Sequence, residues 1–208
     1  QGVSSQSMDK IDTKTNSEEP NPLKKPRLPS LSTQPDKDIL QSRVLMLGLD
    51  KAGKTTILKN LFNESDSGDY VPTKGVNMKS RSTTDKLVVI EVGGDDQTRP
   101  NWLHFFEQSD SLIYVIDTSD KGRIHETCRE LGDVLSSLKM ADKPLLVYAN
   151  ERETTSEDAP ELSNLVLEQV ERSTQGKRQW HIQSCNAVKG DGLQDGIDWL
   201  IAKIHEEA

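Results

Sequence analysis

The stretch Gly48-Leu49-Asp50-Lys51-Ala52-Gly53-Lys54-Thr55 constrains this chain more than any other feature. It fits the pattern G-x-x-x-x-G-K-[ST]. The apolar run "RVLMLGL" precedes it and reads as a strand. "KTTILKNLF" follows and reads as a helix, with Ile57, Leu58, Leu61 and Phe62 on one side. A strand, a tight glycine turn and a helix start in that order place a row of backbone N–H groups around one anion. Gly48 and Gly53 permit the sharp turn. Lys54 can reach the β- and γ-phosphates of a nucleotide, and the Thr55 hydroxyl can ligate Mg2+. A glycine turn with a surface lysine would not require Lys-Thr at these two positions.

The rest of the chain supports a fold that can carry such a loop. "KLVVIEV", "SLIYVID", "PLLVYAN" and "RQWHIQSC" read as further strands. Helical patterns run from about Gly122 to Lys139, from about Pro160 to Glu171, and through "LQDGIDWLIAKIHEE" at the end. Near-continuous apolar strands alternating with amphipathic helices imply a mostly parallel sheet covered on both faces. "VNMKSRS" and "KLVVIEV" follow each other closely across the polar turn "RSTTDK", so they are expected to form an antiparallel hairpin at the sheet edge. Residues 1–40 differ. They hold five of the nine prolines, no aromatic residue and few aliphatics. They are expected to form a disordered tail, because too little apolar surface is available to offset the entropy of ordering. Within it "PLKKPRLP" is a short basic island, read as solvated tail or as an import or docking signal. Residues 41–208 are expected to form the folded domain.

Composition excludes several classes. The chain has 26 basic and 34 acidic residues, a net charge of −8, which argues against a nucleic-acid surface. Two cysteines, Cys128 and Cys185, make no disulfide framework and suit a reduced cytoplasmic setting. No apolar run approaches the roughly 20 residues that span a bilayer. Membrane association stays open, with no anchor visible in the sequence. The four histidines show no metal spacing with either cysteine. Trp180 and Trp199 are expected to pack between helix and sheet, and Trp102 is an open candidate for packing or for anchoring a partner.

In open α/β sheets a ligand lies at the carboxyl ends of the strands. Three more segments qualify. "VPTKG" offers the Thr73 hydroxyl. "EVGGDD" offers the Glu91 carboxylate, for magnesium through water, and the Gly94 N–H, for a terminal phosphate. "YANERE", Tyr148 to Glu153, ends a strand abruptly in charge.

On "GLDKAGKTTILKNL", "PTKGVN", "EVGG" with "RPNW", "LIYVIDTSD", "WHIQSC" and "GDGLQDGIDWL", the chain resembles the Arf and Arf-like small GTPases. The resemblance covers about Arg43 to Ile204. It implies a Ras-like α/β fold with a mostly parallel six-stranded sheet, one antiparallel edge strand and helices on both faces. It implies GTP and GDP as ligands, Mg2+ as cofactor, and protein effectors and regulators met through switch segments, with the chain acting as a monomer in trafficking. Asp50, Lys51, Ala52, Gly53, Lys54, Thr55 and Thr56 would hold the phosphates. Thr55, Thr73 and Glu91 would serve the metal, and Gly94 the terminal phosphate. Asn150, Glu151, Glu153 and the Ala187 N–H would meet the guanine.

The departures carry as much as the matches. The family pattern W-D-x-G-G-Q here reads Ile90-Glu91-Val92-Gly93-Gly94-Asp95. Asp95 stands where the family's glutamine orients the attacking water, and a carboxylate cannot donate as the amide does, so hydrolysis is expected to be very slow. The family's three interswitch aromatics read Val76, Ile90 and Phe105. That is either a weakened effector surface or a repacked core. The base-reading N-K-x-D reads Asn150-Glu151-Arg152-Glu153, with the lysine reversed in charge and the aspartate lengthened. Two readings follow: a divergent GTP-binding switch, or a pseudo-GTPase interaction module that binds nucleotide weakly or not at all. A P-loop kinase fits poorly, because no arginine-rich lid pattern is present.

Overall fold

Each apolar run becomes a strand of a single six-stranded sheet. The strands are β1 (Ser42–Leu47), β2 (Val76–Arg81), β3 (Leu87–Val92), β4 (Ser111–Asp117), β5 (Leu145–Asn150) and β6 (Trp180–Cys185). Their order across the sheet is β2-β3-β1-β4-β5-β6. All neighbours run parallel except β2 and β3, which form the antiparallel edge hairpin. The computed structural model describes residues 42–63, 75–81, 87–151, 159–174 and 178–207. The tail, the turn "RSTTDK" beyond Arg81, Thr73, Arg152 and Glu153 lie outside them.

β1, β3, β4 and β5 are buried along almost their whole length, as continuous apolar strands require when both faces are covered. The helices are α1 (Lys54–Leu61), α2 (Ile124–Ser136), α3 (Ala159–Thr174) and α4 (Leu193–Glu207). Side chains alternate along a strand, so Tyr114 and Val115 point to opposite faces. On the Val115 face, Val44, Met46, Ile113 and Leu146 join Ile57 and Leu58 of α1 and Ile197 and Leu200 of α4 in one cluster. Tyr148 belongs to this face and donates to the Leu193 carbonyl at 2.6 Å. On the other face Tyr114 donates to the Thr127 carbonyl of α2 and takes the Trp102 ring edge-on at 6.4 Å.

Two elements depart from the sequence expectation. The expected helix over 122–139 is three pieces: a 3-10 turn Lys121–Arg123, α2, and a 3-10 turn Leu138–Met140. Ser137, at φ −69° and ψ 125°, is extended and breaks the run. A 3-10 helix spans Arg99–Gln108, where the sequence reading places no element. Its signal is present: Pro100 in the first turn, and Trp102, Phe105 and Phe106 buried on one side.

Of the three interswitch positions, Ile90 and Phe105 are core residues, 1% and 2% exposed, whereas Val76 is 39% exposed at the edge strand. Trp199 packs partly buried against the core and lies 5.2 Å from the His181 ring. No helix among the described residues is long and apolar enough to cross a membrane.

Candidate functional site: a phosphate loop tied to a base-side loop

The loop from Gly48 to Gly53 leaves the carboxyl end of β1 and turns straight into α1. Gly53, at φ 101°, caps the helix in the left-handed region. A Cβ there would meet the Asn150 amide nitrogen at 2.4 Å. Lys51 also adopts a left-handed φ of 63°, a strained choice for a residue with a side chain. Lys54 is 6% exposed, and its ammonium donates to the Gly48 and Leu49 carbonyls, both at 2.8 Å. Burial pulls its pKa down to about 8, against Glu91, Asp50 and Asp95, which favour the charged form, while Arg123 disfavours it. A cation kept in a buried glycine loop, with carboxylates grouped around it, is suited to an anionic ligand.

Beside it the Thr55 hydroxyl donates to Glu91 Oε1 at 2.5 Å, and Asn77 Nδ2 donates to Glu91 Oε2 at 2.9 Å. Asn77 and Glu91 are direct cross-strand partners in the β2–β3 hairpin. Glu91 is only 1% exposed. The hydroxyl and carboxylate oxygens form a hard-oxygen pair of the kind that magnesium prefers, with ligand phosphates as further donors. They fit the ion; no cluster of three His, Cys, Asp or Glu suited to a metal occurs among the described residues. Thr56, next in the helix, is buried.

β3 delivers Gly93 and Gly94 to the same place. The Asp50 N–H donates to the Gly94 carbonyl at 3.2 Å. A Cβ on Gly94 would lie 2.1 Å from the Gly48 carbonyl oxygen, so only glycine fits this approach. Trp102 Nε1 donates to the Gly93 carbonyl at 2.8 Å and fixes the exit of β3 from behind. The tryptophan is therefore a buried brace, which its position in the sequence alone did not decide. Asp95 folds back on its own segment. It accepts from the Gln97 and Thr98 N–H groups and from Thr98 Oγ1 at 2.8 Å. Burial pushes its carboxyl up, but the bonds from Thr98 and Gln97 outweigh that and hold it below the usual carboxylate range. Beyond it Arg99 reaches Glu126 and Glu130 of α2, at 2.7 and 2.9 Å, as well as Asp96.

On the base side Asn150 is the link between loops. Its Nδ2 donates to the Ala52 carbonyl at 3.0 Å, and its Oδ1 accepts from the Ala187 N–H at 2.9 Å. It is 2% exposed. The Ala187 N–H, expected to face a base oxygen, is thus engaged by Asn150. The Glu151 backbone is held at both ends, its N–H by the Cys185 carbonyl and its carbonyl by Asn186 Nδ2. Asn186 also turns the next loop, accepting from the Val188 and Lys189 N–H groups. Cys185 is buried, and burial, with Glu151 adding, pushes its thiol up to about 12; it is a core residue, not a reactive one.

The structure thus brings Asp50, Ala52, Gly53, Lys54, Thr55, Glu91, Gly94, Asp95, Asn150 and Ala187 together at the carboxyl ends of β1, β3, β5 and β6. Arg123 and Asn77, which sequence reasoning did not single out, join them as well.

Comparison with known proteins agrees with this geometry. The model of the ADP-ribosylation factor family matches residues 31–204. The chain is 39% identical over 165 residues to an ADP-ribosylation factor-like protein 3 of Chlamydomonas reinhardtii, covering 79% of this chain and 91% of that one. It is 40% identical over 165 residues to an ADP-ribosylation factor-like protein 3 of Caenorhabditis elegans, covering 78% and 87%. Among solved structures it is similar to the Arl6 BBS3 small GTPase of Trypanosoma brucei, determined with a bound GppNp. The TM-score is 0.70 at 24% identity, over 81% of this chain and all of that one, a likeness of fold.

Proposed function

The chain belongs to the ADP-ribosylation factor family of small GTPases, and from that premise we propose that it is a guanine-nucleotide switch that binds GTP and GDP with Mg2+ and hydrolyses GTP very slowly. One observation carries the reading: Asn150 joins the phosphate loop at Ala52 to the base-side loop at Ala187. A single ligand with a base at one end and phosphates at the other is what such a link serves. In this reading the loop N–H groups and Lys54 bind the phosphates. Thr55 and Glu91, with Thr73, hold the magnesium, which supplies charge neutralisation for the phosphates. Asn150, Glu151, Glu153 and the Ala187 N–H meet the guanine.

Slow turnover follows from Asp95. A water attacking the γ-phosphate needs a group that both accepts and donates, and a carboxylate only accepts. Asp95 is moreover spent on Thr98 and Gln97. The chain acts by engaging protein effectors and regulators through the switch segments, as a cytoplasmic monomer in trafficking, with residues 1–40 as a tail to a 41–208 domain.

A second reading, an interaction module that binds nucleotide weakly or not at all, draws on the closure of the same site upon itself. Thr55 donates to Glu91, and the Asp50 N–H donates to Gly94. Titration of the protein with fluorescent GTP, GDP and ATP in Mg2+ separates the two. The switch requires micromolar or tighter guanine-selective binding that Lys54→Ala abolishes. No binding by the wild type leaves the module reading, and ATP selectivity sinks the reading of Asn150. In single-turnover assays Asp95→Gln is expected to raise hydrolysis at least roughly tenfold, since water-positioning groups matter by orders of magnitude in this chemistry. Equal rates overturn the role given to Asp95.

A further inference from the structure

The phosphate loop carries a negative charge of its own. Asp50 stands two residues after Gly48, inside the turn whose N–H groups are to face an anion. A carboxylate a few ångströms from a polyphosphate in a half-buried cleft is strongly unfavourable unless a cation offsets it. The other two carboxylates around Lys54 are engaged as well, Glu91 by Thr55 and Asn77 and Asp95 by Thr98 and Gln97. Asp50 is taken up from a distant segment. Arg123, at the entry to α2, donates from Nη1 to Asp50 Oδ1 at 2.5 Å and from Nη2 to the Asp50 main-chain carbonyl at 3.0 Å. Its Nε donates to Asp120 Oδ2 at 2.7 Å, which fixes the guanidinium plane.

We propose that Arg123 is a positioning residue for the phosphate loop: it neutralises Asp50 and holds that carboxylate away from the phosphates, so that the loop presents N–H groups rather than charge to its ligand. The inference rests on the reading of the cleft as a nucleotide site. The grip is two-sided. Arg123 holds the carboxylate and carbonyl of Asp50, while the Asp50 N–H donates to the Gly94 carbonyl. Only a planar fork can serve carboxylate, carbonyl and Asp120 together, so lysine cannot replace arginine here. An ordinary partly exposed ion pair would contribute little to stability, and the two side chains are 31% and 28% exposed. The two roles therefore predict different things. A surface pair would move neither ligand affinity nor loop dynamics. A charge lock on the loop weakens ligands in proportion to their phosphate charge when it is removed.

The experiment is a charge cycle on the full chain. Arg123→Gln is expected to weaken GTP binding roughly tenfold or more and GDP binding less, with the deficit shrinking as ionic strength rises. Asp50→Asn on the Arg123→Gln background is expected to restore most of the GTP affinity. Unchanged affinities in Arg123→Gln, or equal losses for GTP and GDP that Asp50→Asn leaves in place, overturn the proposal. A wild type that binds no nucleotide sinks the underlying reading instead. Hydrogen exchange on the nucleotide-free protein then decides the grip itself. In Arg123→Gln the Asp50 amide is expected to exchange at least several-fold faster while the Leu131 and Val134 amides of α2 hold their rates. An unchanged Asp50 amide means that Arg123 does not hold the loop.

Discussion

The two ends of the cleft have absorbed their unusual residues in different ways. At the phosphate end each carboxylate, the shifted Glu91 and Asp95 as well as Asp50 of the loop itself, has found a side-chain partner. Glu91 takes Thr55 and Asn77, Asp95 takes Thr98, and Asp50 takes Arg123. At the base end neutral side-chain amides hold the backbone. Glu151 is fixed through its N–H and carbonyl, and the two base-side loops are joined through Asn150 and Asn186. The phosphate-end partnerships are bonds to charged carboxylates, whereas the base-end loops depend on the neutral amide of Asn150 bridging Ala52 and Ala187. The phosphate end is thus tuned by charge, and the base end by geometry.

The largest expected effect tests the geometric end. Asn150→Ala removes both bonds of a 2% exposed amide and leaves the Ala52 carbonyl and the Ala187 N–H without it. Buried groups stripped of partners cost about 1–3 kcal/mol each, so stability is expected to fall by about 2–6 kcal/mol. Nucleotide affinity should fall roughly 100-fold, as both ends of the ligand lose register. Chemical denaturation and nucleotide titration measure the two. If affinity falls and stability does not, Asn150 contacts the ligand and does not hold the loops, and the contrast between the ends fails.

The next effect tests the charged end. In the nucleotide-free protein Lys54 is pulled down to about 8 from 10.5 by burial. A bound polyphosphate favours its charged form and raises it again. Between those two values binding takes up a proton, so affinity is expected to weaken by up to roughly tenfold per pH unit above about pH 8. At pH 7 Lys54 is charged with and without ligand, and no uptake is expected. The sign reverses for the stability of the nucleotide-free protein. Its folded Lys54 pKa lies below the unfolded one, so the stability that Lys54 contributes rises from about pH 8 towards 10.5. Calorimetry in buffers of different ionisation enthalpy reads the proton directly. Equal proton counts at pH 7 and pH 9 would remove Lys54 from the phosphate contact.

How much of this was legible in the sequence differs along the same line. The strands were legible because four of them are buried throughout, and an apolar run has few other places to go. The phosphate loop was legible because its spacing is local. The β2–β3 hairpin, once placed, makes Asn77 and Glu91 opposite neighbours, so that contact follows from register. What escaped was long-range. Arg123 and Asp50 are 73 residues apart, and no periodicity links them. Trp102 on Gly93 escaped because the 3-10 helix that aims it has no strong local signature beyond Pro100 and the spacing of its buried residues. The Asp95 turn was half legible. The substitution was plain, but its capture by Thr98 needed the backbone to be seen.

The smallest expected effect is the sharpest test of the contrast. Glu151 stands where the family has a lysine along the base, and its backbone is already held by Cys185 and Asn186. Changing its side chain should therefore leave the loop in shape and alter charge alone. Glu151→Lys removes a negative charge near a polyanion and adds a positive one, in a half-exposed position where solvent screens both. The expected gain in GTP and GDP affinity is roughly three- to tenfold, with stability unchanged within about 0.5 kcal/mol. ATP serves as the control. A gain shared by ATP would mean that the introduced ammonium acts on the phosphates by charge; a gain confined to guanine nucleotides would mean that it acts along the base. No gain for any nucleotide would show that the Glu151 side chain does not act on the ligand and that geometry alone sets this end.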